Sequence, residues 1–137
     1  MFRWYGLIGV VLVVFMEVNF FLKIQPFANW YFPLIWFGYI LTIDALNKKL
    51  SGKSLISDNF QKFFGIVIIS ALFWWIFEFA NLGLDNWTYR GLLFKTEVLK
   101  NLFGTLSFST VLPAFFETYE LIRNVHLFDH TMLKKKY

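Results

Sequence analysis

The sequence predicts an all-α integral membrane protein, a bundle of four transmembrane helices with both termini on the cytoplasmic side. Three observations predict it. Of the 137 residues, 58% are hydrophobic and only 16% charged, against about 45–50% and about 25% in ordinary soluble domains. Aromatic residues reach 23%, including 19 Phe, and one small soluble core cannot hide that many rings. The apolar residues also gather into four runs of roughly 20, the number that covers a hydrocarbon core ~30 Å thick. A water-soluble enzyme and a disordered chain are excluded on these grounds. The runs lack period-2 alternation and are about twice the length of a barrel strand, so a β-barrel is excluded as well. With no cysteine in the chain, disulfides, thiolate metal sites, thiol redox chemistry and c-type haem attachment are ruled out.

The first helix is expected over residues 4–22, closed by Lys23, Gln25 and Pro26. It begins after a basic residue, Arg3, as a signal peptide does, but the apolar run continues through Phe20-Phe21-Leu22 without a small-residue cleavage site. It reads as a retained span. The second is expected over 30–46, entered through Pro33 and stopped by Asn47-Lys48-Lys49. Residues 47–54 then read as a short polar turn; its glycine spacing is not that of a phosphate-binding loop. The third, 63–84, is the strongest run. A loop over 85–100 mixes Trp87, Tyr89, Leu92, Leu93 and Phe94 with charges, a composition suited to the headgroup region. The fourth helix is expected over 102–122, with Pro113 inside it. Proline cannot donate to the carbonyl four residues back, so a kink is expected at Ser109.

Orientation follows from the basic residues of the short loops. Arg3, Lys48, Lys49, Lys53, Lys62, Arg123, Lys134, Lys135 and Lys136 fall on one side, and Lys23, Arg90, Lys95 and Lys100 on the other. The first side is therefore cytoplasmic, and a bacterial inner membrane is the expected location. The net charge of +4 is mostly this topology signal, with some attraction to anionic membrane lipid. Nucleic acid is not an expected partner, because the cations flank membrane segments and accompany no binding motif.

The acids carry the functional information. Five of the nine, Glu17, Asp44, Glu78, Glu117 and Glu120, lie within or at the ends of the expected spans. Each costs roughly 2.5–3.5 kcal/mol to insert, so each needs a partner or a purpose. The plain alternative is that they hydrogen-bond between helices and hold the bundle together. Trp74, Glu78 and Asn81 share one helical face at i, i+4 and i+7; Pro113, Glu117 and Glu120 share another. A kink beside two carboxyls can open a polar cavity. The expected depths place Glu78 more than about 10 Å from Glu117 along the membrane normal, with Asp44 and Glu117 nearer the inner side.

Other candidates are weaker. His126 and His130 have i, i+4 spacing, but in a polar tail they read as solvated residues, and no metal site is expected. Ser107 and Ser109 have no nearby base, and Rossmann, Walker and zincin motifs are absent. The sequence points to no cofactor.

Two resemblances add to this. Phe73 to Asn81, followed by Asn86-Trp87-Thr88-Tyr89, and Thr110 to Glu117 resemble two signatures of a family of uncharacterised multi-pass bacterial membrane proteins. Phe32-Pro33-Leu34 and Asp44-Ala45-Leu46-Asn47, with Ser54-Leu55 beyond, are similar to its preceding helix and loop. That family implies no activity. Its members with two related halves imply that this chain corresponds to one half of a duplicated architecture, either pairing as a homodimer or being a fragment of a longer chain. More remotely, Glu78, Trp87-Thr88-Tyr89 and Pro113 with Glu117 resemble the order of acids and aromatics in integral-membrane lycopene cyclases. There the acids directly follow Trp and Pro, whereas here Glu78 lies three residues after Trp75 and Glu117 four after Pro113. This likeness implies a proton-initiated isoprenoid or carotenoid cyclase-like isomerase, with a neutral carboxyl as proton donor and aromatic faces stabilising a cation.

The resulting expectation is a polar, carboxylate-containing intramembrane site that binds, moves or alters a lipid-soluble molecule. Glu78 and Glu117 are its candidate catalytic acids. Asn81, Trp87, Tyr89, Asp44, Trp74 and Glu120 are its candidate binding residues. The competing expectations are a non-catalytic subunit of a larger membrane complex and a proton-coupled small-molecule carrier.

Overall fold

The computed structural model describes residues 1–127 and is entirely helical among them apart from loops and turns. Helix α1 (Trp4–Leu22) ends where Lys23 adopts the left-handed conformation. Helix α2 runs Tyr31–Ser51. A single helical turn, α3 (Leu55–Asp58), leads through Asn59 into α4 (Phe60–Leu84), and the last helical stretch is divided between α5 (Glu97–Ser109) and α6 (Val111–Asn124). Helices α1 and α4 are long and apolar enough to cross a membrane.

Two boundaries differ from the sequence expectation for physical reasons. Residues 47–51, expected as part of a polar turn, continue α2. Lysine propagates a helix well, and Lys48 and Lys49 occupy the last turn, where they complement the exposed carbonyls. The stop comes at Gly52, at φ 74°, a left-handed position that glycine takes at no steric cost. The helix expected from residue 102 starts at Glu97, because Thr96 accepts from the Leu99 N–H and caps it there.

That last helical stretch breaks at Thr110. Pro113 has no N–H to offer the Ser109 carbonyl, and α5 ends at Ser109. The break leaves unpaired backbone groups on both sides, and Ser70 of α4 serves both. Its hydroxyl donates to the Phe108 carbonyl at 2.5 Å and accepts from the Leu112 N–H at 3.0 Å. Ser70 is fully buried, so this single side chain ties the middle of α4 to the break between α5 and α6. Trp75 adds a second tie, its indole N–H donating to Thr105 at 3.1 Å.

Helices α1 and α2 meet through small residues. A Cβ at Gly9 would lie 2.6 Å from the Gly38 carbonyl oxygen and 2.6 Å from the Thr42 hydroxyl, so only glycine allows this approach. The contact brings Tyr5, one turn nearer the amino terminus, beside the last turns of α2.

Side-chain contacts gather at the two ends of the helices. At one end lie two hydrogen-bonded sets, Tyr5 with Asp44 and Ser54, and Asn47 with Glu117 and Asn124. At the other, the rings of Trp30, Phe94 and Phe103 pack within 5.1–5.9 Å, and Tyr31 donates to Glu17 at 3.2 Å. These are called the Asn47 end and the Trp30 end below.

Candidate functional site

The candidate residues separate into two clusters. At the Asn47 end, Asp44 is fully buried. One oxygen, Oδ2, accepts from the hydroxyls of Tyr5 and of Ser54, the latter at 2.5 Å, and Oδ1 accepts from the Ile56 N–H at 2.9 Å. Three donors from three elements thus converge on one carboxylate, and they fold the 52–59 loop back against α1 and α2.

Glu117 lies beside it, 2% exposed. Its Oε2 accepts from the Asn47 amide at 2.9 Å, and that amide also reaches the Glu117 carbonyl at 3.1 Å. Asn124, two turns further along α6, donates to the Asn47 side-chain oxygen at 3.0 Å. The second carboxyl oxygen of Glu117, Oε1, is buried and receives no donor. The neighbouring acidic group is Asp44.

Glu117 and Asn47 form part of the wall of a cavity of about 600 Å³, within the range of small-molecule sites. Ser51, Lys53 and Ser54 close one side, the start of α4 from Asn59 through Lys62 to Ile66 closes another, and Phe116, Glu120 and Arg123 of α6 complete it. Glu120 is paired with Arg123 at 3.3 Å. At the rim, Lys48 lies 2.6 Å from Asp58. That ammonium, with the Ser54 N–H, holds the Asp58 carboxyl below its ordinary range.

The second cluster sits at the Trp30 end. Asn81 fastens the chain after α4: its side-chain oxygen accepts from the N–H groups of Asn86 and Trp87 at 2.9 and 3.2 Å, and its amide donates to the Trp87 carbonyl at 2.8 Å. The carboxylate of Glu78 then accepts from the Trp87 indole at 3.2 Å and from the Tyr89 hydroxyl through the same oxygen, Oε1. Partial burial, and then the Glu78 carboxylate, push the Tyr89 phenol up to about 12. Tyr89 is still 56% exposed, so the cluster is a loop clasp open to the surroundings.

The structure therefore brings Asp44, Glu117 and Glu120 to one end and Glu78, Asn81, Trp87 and Tyr89 to the other. Taking the Ser70–Leu112 contact as the common level, Glu78 and Glu117 are roughly 20 Å apart along the helix axes, so the two candidate catalytic acids do not face one reacting atom. Trp74 belongs to neither cluster. Its ring stacks on Phe108 at 6.4 Å, and its indole N–H is buried without a partner. His130 lies outside the described residues. No group of three or more His, Cys, Asp or Glu residues suited to a metal occurs among the described residues.

Sequence reasoning missed Tyr5, Asn47, Ser54 and Ser70. Asn47 could have been found, since with Asp44 and Ser51 it forms an i, i+3, i+7 stripe, but only if the helix is extended past the end of its apolar run. Comparison of the chain with protein-family profiles, with curated proteins and with solved structures found no match.

Proposed function

We propose that this chain is a four-pass protein of a bacterial cytoplasmic membrane, with both termini inside, and that it binds a lipid-soluble small molecule at the Asn47-end cavity. The α5–α6 pair acts as one broken span, and the basic residues Lys48, Lys49, Lys53 and Lys62 around the connection from α2 to α4 mark the cytoplasmic face. The observation that carries the functional reading is Glu117. It is a carboxyl at 2% exposure, with one oxygen lacking any donor, in the wall of a cavity of about 600 Å³. A purely structural acid has its acceptors filled, as Asp44 does; Glu117 keeps capacity for a proton or a ligand. Any proton-transfer chemistry at this site would rest on Glu117 alone, with Asn47 orienting it. The Glu78 clasp would serve as a structural closure on the opposite face.

The experiment is native mass spectrometry of protein extracted gently from its own membrane, as the unaltered chain and as Glu117→Gln. Glutamine keeps the shape and can still accept from Asn47, but it cannot hold an acid proton. A molecule of defined mass that accompanies the unaltered chain and is depleted in the variant supports the reading. Protein with no bound molecule in either form contradicts it.

A second reading, a subunit of a larger membrane assembly, is favoured by α4. This helix buries only Ser70, and Ile68, Leu72, Ile76, Phe79 and Leu82 remain exposed. A partner helix would cover such a surface as well as lipid does. Stoichiometric protein partners in the same mass spectra would favour this reading.

A further inference from the structure

We propose that the ligand of the Asn47-end cavity is an anionic phospholipid, its phosphate held between Lys53 and Lys62 and its chains lying against Leu55, Ile66 and Phe116. This rests on the reading of that cavity as the binding site and names the chemistry it would select.

Charge pairing comes first. Of the cations around the cavity, Arg123 is matched by Glu120 and Lys48 by Asp58. Lys53 and Lys62 also line it, and among the described residues neither forms an ion pair. The Glu117 carboxyl also lines the cavity, among the described residues without an ion pair, and two unmatched ammonium groups against that one carboxyl leave a positive excess that favours an anion. The backbone points the same way. Lys62 and Ile66, in the first two turns of α4, form part of the wall, so the positive end of a 25-residue helix borders the cavity and adds to a potential that favours anions. Asn59 occupies only one of the free N–H groups there, that of Lys62.

The remainder of the lining sets the class of anion. Ser51, Asn59 and Asn124 offer polar groups beside the lysines, whereas Leu55, Ile66 and Phe116 give an apolar wall. A free inorganic anion would leave that wall uncovered. A phospholipid fills both parts, and the orientation proposed above places the lysines at the inner headgroup layer, where anionic lipid gathers.

The test uses the full chain in neutral detergent, with phosphatidylglycerol as probe and native mass spectrometry as readout. Phosphatidylglycerol should be retained in preference to phosphatidylcholine. Lys53→Gln and Lys62→Gln should each weaken retention about fivefold, and the double variant about twentyfold or more. Lys100→Gln, at the opposite end, should leave it unchanged. Excess inorganic phosphate should fail to displace the lipid. Equal retention of the two lipids, no effect of the double variant, or displacement by inorganic phosphate would each overturn the proposal. These failures are separable from failure of the cavity reading itself, because a lipophile lost on Glu117→Gln but indifferent to Lys53 and Lys62 would leave the cavity standing and remove only the phosphate.

Discussion

The two acid clusters use the same residue types in opposite ways. Around Glu78 every partner is local: Trp87 and Tyr89 lie 9 and 11 residues along the chain, and the group stays partly open. Around Asp44 and Glu117 the partners come from far away, with Tyr5 39 residues before Asp44 and Asn47 70 before Glu117. Local partners close a loop. Distant ones fix how three helices and a connecting segment fit together, and that requires burial, which makes any acceptor left unfilled costly. The lone Oε1 of Glu117 has meaning at the Asn47 end, whereas a spare oxygen on Glu78 would have little.

The largest expected effect comes from removing the hub of the distant cluster. Asp44→Ala strands the Tyr5 and Ser54 hydroxyls and the Ile56 N–H together. It should destabilise the folded protein by about 3 kcal/mol or more, read as a lowered melting temperature in detergent. If it melts like Glu78→Ala, the contrast between the clusters collapses. A smaller loss, about 2 kcal/mol, is expected for Gly9→Val. The added side chain meets the Gly38 carbonyl, parts α1 from α2 and withdraws Tyr5 from Asp44 without touching either acid.

The smallest effect should come from the clasp. Glu78→Gln should cost less than about 1 kcal/mol, because its partners can turn to their surroundings, but it should speed proteolysis within the 85–96 loop. The same variant should lower the Tyr89 titration from about 12 towards that of an ordinary phenol near pH 10, followed by tyrosinate absorbance against a Tyr89→Phe reference. The sign follows from linkage: the folded state keeps the Tyr89 proton longer than the unfolded chain does. The clasp's contribution is complete below the unfolded phenol value and is lost as pH rises towards 12. Unchanged titration in Glu78→Gln would mean that the clasp does not form.

Much of this was legible in the sequence, for identifiable reasons. Composition and run length are global quantities, and they predicted an all-helical chain with long apolar helices. Pro113 announced a break, because the missing N–H is a local fact. Asp44 and Glu117 stood out as acids in apolar surroundings. Asn47 did not, since hydropathy marks where an apolar run ends, and a helix ends only where capping or a left-handed residue stops it, here at Gly52. Ser70 was hidden for another reason: its role is created by the break in a different helix, 38 residues away from its carbonyl partner. The division of the acids into two clusters was partly visible in their expected depths. What completed it was the set of partners, and pairing between distant segments leaves no periodic signal.

The central claim is that the two clusters sit at opposite faces of a membrane, with the cavity inside. Because the chain has no cysteine, single cysteines introduced at Ser51 and at Thr88 can be labelled without background in intact and opened cells by a membrane-impermeant thiol reagent. The account predicts that the Thr88 position labels in intact cells and the Ser51 position only after opening. Labelling of both from the same side would contradict it.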